Sequence, residues 1–255
     1  MLVRSLPPAF GFLWLERGLN LVFRQPQLLL SWFVFLSAIQ ILTPLLPLLS
    51  LVFNLLMPFF IFVSLNLCHR LAQGQQHSGI QVLKDLWNKK NLMNSLRFYL
   101  AFLALSMIIA IVVTFAFPPS ELPSDPSSTE EILQLYGGTI KAVIYGLMIL
   151  LALTINAIPL MGWNQLPVWA AIKLSLKAIY INTVPCISFF GALFLVSWLM
   201  SLIPMTGNMT VNVSIQILKD TVLLALAMPA LYYCYVTTFT ESSPANTETE
   251  TDSLS

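Results

Sequence analysis

Residues 26–67 read PQLLLSWFVFLSAIQILTPLLPLLSLVFNLLMPFFIFVSLNL, 42 positions without a formal charge. A helix rises about 1.5 Å per residue and the hydrocarbon core of a bilayer is about 30 Å thick, so one crossing takes about 20 apolar residues. This stretch is therefore two crossings joined as a hairpin. Thr43-Pro44-Leu45-Leu46-Pro47 sets two prolines near its middle, where the missing amide donors suit a turn. Pro58 falls inside the second crossing and predicts a bend there.

The composition of the 255 residues agrees with that reading: 57% are hydrophobic and 9% charged, against roughly 25% charged in a soluble domain. Twelve basic and 11 acidic side chains do not cover the surface of a 28.5 kDa body, so much of it faces hydrocarbon. A net charge of +1 argues against a nucleic-acid partner. Three cysteines and two histidines make neither a disulfide framework nor a zinc array, and no metal or other cofactor is expected.

The same ruler marks a third crossing over about 98–117, stopped by Pro118-Pro119, and a fourth over about 142–162. A fifth starts near Pro185 and ends before Pro204, and a sixth runs over about 221–239 with Pro229 inside. Residues 118–136 hold four prolines and four serines with Glu121, Asp125, Glu130 and Glu131, and read as an exposed loop. The Ser/Thr-rich acidic stretch 241–255 reads as a disordered cytoplasmic tail.

Three amphipathic segments precede pairs of crossings. Over 10–24, Glu16, Arg17, Asn20 and Arg24 share an arc of about 100° while Phe10, Leu13, Trp14, Leu21 and Phe23 fill the rest, which predicts a helix in the headgroup plane. Over 78–90, Ser78 and Gln81 form a capping-box pair, with Ile80, Leu83, Leu86 and Trp87 opposing Lys84, Asp85, Asn88 and Lys89. Over 167–181, Trp169, Ile172, Leu176 and Ile179 oppose Lys173 and Lys177. The chain thus reads as one membrane domain over 1–240, with pseudo-repeats at 10–74, 78–162 and 166–239 offset by 68 and 88 residues; the competing reading is that any run of hairpins with interfacial connectors looks periodic.

Charge near the crossing ends sets orientation. Arg4, Arg17, Arg24, Arg70, Lys84, Lys89, Lys90, Arg97, Lys173 and Lys177 share one side, and only Lys141 and Lys219 take the other. The positive-inside rule then places both termini in the cytoplasm. Trp14, Trp87, Trp163 and Trp169 fall near the same boundary, as an aromatic belt requires. No cleavable leader is expected, because the first crossing can direct insertion. The expected fold class is an all-α polytopic membrane protein of six transmembrane helices with three interfacial amphipathic helices on the cytoplasmic side.

Chemistry is sparse. Lys219, Asp220 and Lys141 read as boundary charges, with a gate or ion site as the competing reading. Gln40, Asn54, Asn66 and Asn156 lie within or near crossings, where amides seek partners on neighbouring helices; a substrate path uses the same groups. Cys68-His69-Arg70 offers too few converging ligands for a metal, with His77 off the four-residue spacing. Cys186 and Cys234 read as packed thiols. There is no phosphate loop, metalloprotease helix or nucleophile elbow. Asn208-Met209-Thr210 and Asn212-Val213-Ser214 fit the glycosylation triplet and read as chance matches.

Phe23-Arg24-Gln25-Pro26, Cys68-His69-Arg70-Leu71-Ala72-Gln73-Gly74 and the stretch from Lys173 to Pro185 are together similar to bacterial inner-membrane proteins of the YciC type. They also resemble the membrane domain attached to some glycerophosphodiester phosphodiesterases. The resemblance implies a plasma-membrane location and a six-helix bundle. It implies no reaction, because catalysis in the phosphodiesterases belongs to a separate soluble domain whose acidic metal ligands are missing here. The expectation is a multi-pass, non-enzymatic inner-membrane protein that organises membrane lipids or a partner membrane protein. Arg17, Arg24, Lys84, Lys89, Lys173 and Lys177 are the expected anionic-lipid contacts. A small transporter or channel is the alternative.

Overall fold

The computed structural model describes residues 2–43, 47–116, 129–204 and 206–240. Over these the order is β1 (Leu2–Val3), α1 (Phe10–Arg24), α2 (Pro26–Leu42), α3 (Pro47–Ala72), α4 (Gly79–Leu86), α5 (Lys89–Ala116), α6 (Thr129–Thr154), α7 (Ala157–Gly162), α8 (Val168–Ile181), α9 (Thr183–Ser201), α10 (Met209–Thr238) and β2 (Phe239–Thr240). The Pro44 turn, the 118–128 part of the expected loop and the 241–255 tail lie outside the described residues.

Four helical stretches are long and apolar enough to cross a membrane: Ser50–Ala72, Lys89–Ala116, Thr183–Ser201 and Met209–Thr238. The pair α1 and α2 passes the same test together, bent by 104°, which makes up to five candidate spans by length and composition where six were expected. The shortfall has two physical sources. Helix α2 has 17 residues, just short of a full crossing, and the expected fourth crossing is broken. Pro159 has no amide for the Ile155 carbonyl and its ring crowds that oxygen, so α6 stops at Thr154 and the chain resumes as α7. The Leu153 carbonyl at the break accepts the Ser175 hydroxyl of α8 at 2.8 Å.

Three boundaries also move. Asn88 Oδ1 accepts the Asn91 amide at 2.9 Å, an N-terminal cap that starts α5 at Lys89, so Lys89 opens a 28-residue helix instead of closing an interfacial one. Asn208 caps Thr210 and Val211 in the same way and starts α10 well before residue 221. Helix α6 already begins at Thr129, inside the segment read as loop. Elsewhere the local signals hold: the Ser78/Gln81 capping box is made in both directions, at 3.2 and 2.8 Å.

Helix α1 is held by packing. Gly11, Trp14, Gly18, Leu21 and Val22 form its buried face, which lies on α10 and the start of α9. Trp14 is fully buried, donates its indole N–H to Thr237 Oγ1 at 2.9 Å and meets Phe189 edge-on at 6.0 Å. It is therefore a core residue and not part of an exposed belt; Trp163 likewise turns inward, while Trp87 and Trp169 stay exposed. Helix α4 docks where Gly79 lies flat against the Trp32 ring, whose N–H donates to Ser64 Oγ at 2.9 Å.

The two ends of the described chain meet. Strands β1 and β2 pair antiparallel, Leu2 with Thr240 and Val3 with Phe239. Behind them the buried Asn182 side chain accepts the Leu6 amide at 2.8 Å and donates to the Arg4 and Ala178 carbonyls, each at 3.0 Å. Connectivity thus gathers α1, α4, α8, the ends of α3 and α10, and the starts of α2, α5 and α9 at one end of the bundle.

Candidate functional site

The gathered end of the bundle carries most of the cations. Arg17, Arg24, Lys84, Lys89, Lys173 and Lys177 are all exposed on its helices. Among the described residues the one ion pair is Arg70 with Asp85, at 2.7 Å, which ties the end of α3 to α4. The six expected lipid contacts do not share a single patch. Arg24 borders a recess of about 480 Å³ with Ser78 and Gln81, between the α1–α2 bend and the start of α4. Lys89 borders a second and larger one.

That second recess is a groove of about 640 Å³ between the first turns of α5 and the turn joining α7 to α8. Lys89, Lys90 and Arg97 supply its charge, Asn94 and Gln165 its amides, and among the described residues no acidic side chain lines it. The charge is of the wrong sign for where it stands: Lys89 and Lys90 occupy the positive end of the α5 dipole, which repels them and favours an anion beside them. Gln165 forms the far wall in a left-handed backbone conformation, φ 54°, uncommon for a non-glycine residue, and its side-chain amide donates to the Gly162 carbonyl. Asn94 also borders a small cavity of about 10 Å³ beside Ser95 and Gly162, about the volume of a single water. Lys90, Arg97, Asn94 and Gln165 were not among the expected contacts. The cap signal of Asn88 followed by two lysines could have found the first of them, whereas the pairing of α5 with the α7–α8 turn is not written locally.

The four expected amides have separate fates. Asn66 is buried and accepts the Trp163 indole N–H at 2.9 Å while donating to the Phe62 carbonyl at 2.8 Å. Asn156 is buried at the α6–α7 break, where its main-chain carbonyl accepts the Leu160 backbone amide at 3.3 Å. Gln40 and Asn54 are exposed, and the Asn54 amide reaches Ser50 of its own helix at 3.4 Å. Bonds between elements that the sequence did not point to run through hydroxyls: Thr221 of α10 donates to Ser37 of α2 at 3.2 Å, and Tyr235 of α10 donates to Asn164 in the turn after α7. Trp163 is the pillar of this cluster, with the His69 and Tyr235 rings 5.5 and 4.9 Å away. His69 Nδ1 lies 3.3 Å from the Tyr232 hydroxyl, and the Gln73 amide donates to Nε2 at 3.0 Å, so both ring nitrogens are engaged. Among the described residues no group of three His, Cys, Asp or Glu side chains converges as a metal site.

Lys219 is buried and ten residues inside α10, and its ammonium donates to the Ile203 carbonyl at 3.2 Å, just past the end of α9. It acts there as a C-terminal cap of the neighbouring helix. Asn212 stands within α10, with its amide donating to the Thr206 carbonyl at 2.7 Å, and Asn208 is the cap of that helix, so both triplets are used structurally. No protein-family profile matches the chain, and neither does any curated protein or solved structure.

Proposed function

We propose that this chain is a multi-pass bacterial inner-membrane protein, non-enzymatic, that organises anionic lipids or a partner protein at its cytoplasmic face. In this reading α2, α3, α5, α6 with α7, α9 and α10 make six crossings with both termini inside, as the resemblance to YciC-type proteins implies. The observation that carries it is the groove bordered by Lys89, Lys90 and Arg97 and, among the described residues, by no acid, set in a layer of exposed cations at one end of an apolar bundle. Each such cation adds about 1 kcal/mol of attraction to an anionic surface. The small size of the cavities beside Asn94 and beside Ser64, about 10 Å³ each, favours this over conduction.

Exchange of Arg17, Arg24, Lys84, Lys89, Lys173 and Lys177 for Gln, in groups, tests the reading. Retention of anionic lipid after purification should fall in at least one group while folding is kept. Undiminished retention in every folded group would defeat the lipid-contact claim and leave the partner protein. A cysteine at Asn66 or Asn156 that reacts with a membrane-impermeant reagent would instead favour a hydrated path.

A further inference from the structure

We propose that the groove between α5 and the α7–α8 turn is a site for one anionic diacyl phospholipid. Its phosphate is held by Lys89, Lys90 and Arg97, and its acyl chain lies along α5. This deepens the membrane reading above and rests on it.

The headgroup half follows from charge and space. Three cations border a recess of about 640 Å³ that no carboxylate lines among the described residues, and two side-chain amides, Asn94 and Gln165, complete the wall. Amides donate to phosphate ester and hydroxyl oxygens alike, while the guanidinium of Arg97 can donate two parallel bonds to a phosphate. An anion here also relieves the repulsion of Lys89 and Lys90 by the α5 dipole.

The acyl half follows from helix periodicity. Met93, Arg97, Leu100, Ala104, Met107 and Ile111 recur at spacings of four, three, four, three and four, so they form one stripe along α5, and every one of them is exposed. From Arg97 to Met107 the stripe runs about 15 Å, the depth of one leaflet. Below the cations it is purely apolar. A soluble phosphate compound uses the groove and leaves the stripe idle, whereas a diacyl lipid uses both in one pose. The continuity of the basic end with an apolar track of leaflet length selects the lipid.

The test uses full-length protein in detergent with phosphatidylglycerol added at one equivalent, and native mass spectrometry to count bound lipid. The expected result is a single retained phosphatidylglycerol, about a hundredfold preferred over phosphatidylcholine, since each of three cations contributes about fivefold. The variant K89Q/K90Q/R97Q should lose that preference, and the variant K141Q, an exposed cation on α6 outside the expected lipid contacts, should keep it. Asn94→Asp, which leaves the cations in place and adds a negative charge to the wall, should weaken retention about fivefold or more and serves if the triple variant does not fold. Glycerol 3-phosphate and inorganic phosphate at millimolar concentration should not displace the lipid.

Displacement by either head-only probe would overturn the lipid assignment in favour of a soluble phosphate ligand. Unchanged retention in the folded K89Q/K90Q/R97Q or N94D variant would overturn the groove itself. If R17Q/K173Q/K177Q then lost lipid, the broader cytoplasmic-face reading would survive while this site fell.

Discussion

Gly18→Ala is expected to destabilise the protein, although alanine is the better helix former. A Cβ at position 18 would stand 2.7 Å from the Ala230 amide nitrogen, 3.1 Å from its Cα and 3.2 Å from the Pro229 carbonyl carbon, all backbone atoms of α10 that cannot rotate aside. Ordinary contact begins at about 3.4 Å, so α1 must lift by roughly 0.7 Å, a gap that forfeits a quarter to a half of each dispersion contact across the interface. The same shift stretches the 2.9 Å bond from Trp14 to Thr237 past hydrogen-bonding range and leaves a buried donor unpaired. Overpacking costs typically 1–3 kcal/mol and an orphaned buried donor about 1–3 more, against a helix-propensity gain of about 1. The net expectation is a loss of about 1–5 kcal/mol, a fall of several degrees or more in Tm. Gly191 in α9 is the control: a Cβ there meets nothing within 4 Å, so Gly191→Ala should raise stability by about 0.4–1 kcal/mol. Thermal unfolding in detergent, followed by tryptophan fluorescence, reads both. A Gly18→Ala protein at least as stable as Gly191→Ala would refute the close approach of α1 to α10.

Three further outcomes follow from single buried bonds. Asn66→Leu removes the acceptor of the Trp163 indole and should cost about 1–3 kcal/mol in a denaturation series, with no change in Tm counting against that bond. Asn182→Ala should speed amide exchange of Leu6 and of the paired strands more than that of the helices, because it frees the chain terminus that the side chain clamps. Ser175→Ala strips the Leu153 carbonyl of its partner from α8 and should lower stability by about 1 kcal/mol, with Ser175→Thr as the rescue; equal Tm values for wild type and Ser175→Ala would contradict the capping role.

Much of this architecture was legible because local chemistry marks it. The Ser78/Gln81 box, the start of α9 within two residues of Pro185 and the end of α2 at Leu42 all express short-range rules about caps, prolines and apolar length. The same ruler misplaced α5 and α10 because it measured apolar length, while helices continue past charges such as Lys89 and Lys219 when an asparagine caps them. It also ran across Pro159, where one missing amide divides α6 from α7.

Composition, periodicity and charge therefore determined that the chain is helical and apolar enough for a membrane, and that its cations cluster where helices begin and end. Tertiary structure alone decided which of those cations meet. Lys89, Lys90 and Arg97 are neighbours in sequence, but the groove exists because the α7–α8 turn, some 70 residues on, comes to rest against α5. Likewise the amides read as interhelical contacts were chosen by residue type, whereas Asn66 is buried against Trp163 and Asn54 is exposed. Which face of a uniformly apolar helix turns inward is not set by its own sequence. With hydrophobic side chains all round, helices such as α3 and α9 have little preference of their own, and close packing of glycine, ring and hydroxyl against a neighbour makes the choice.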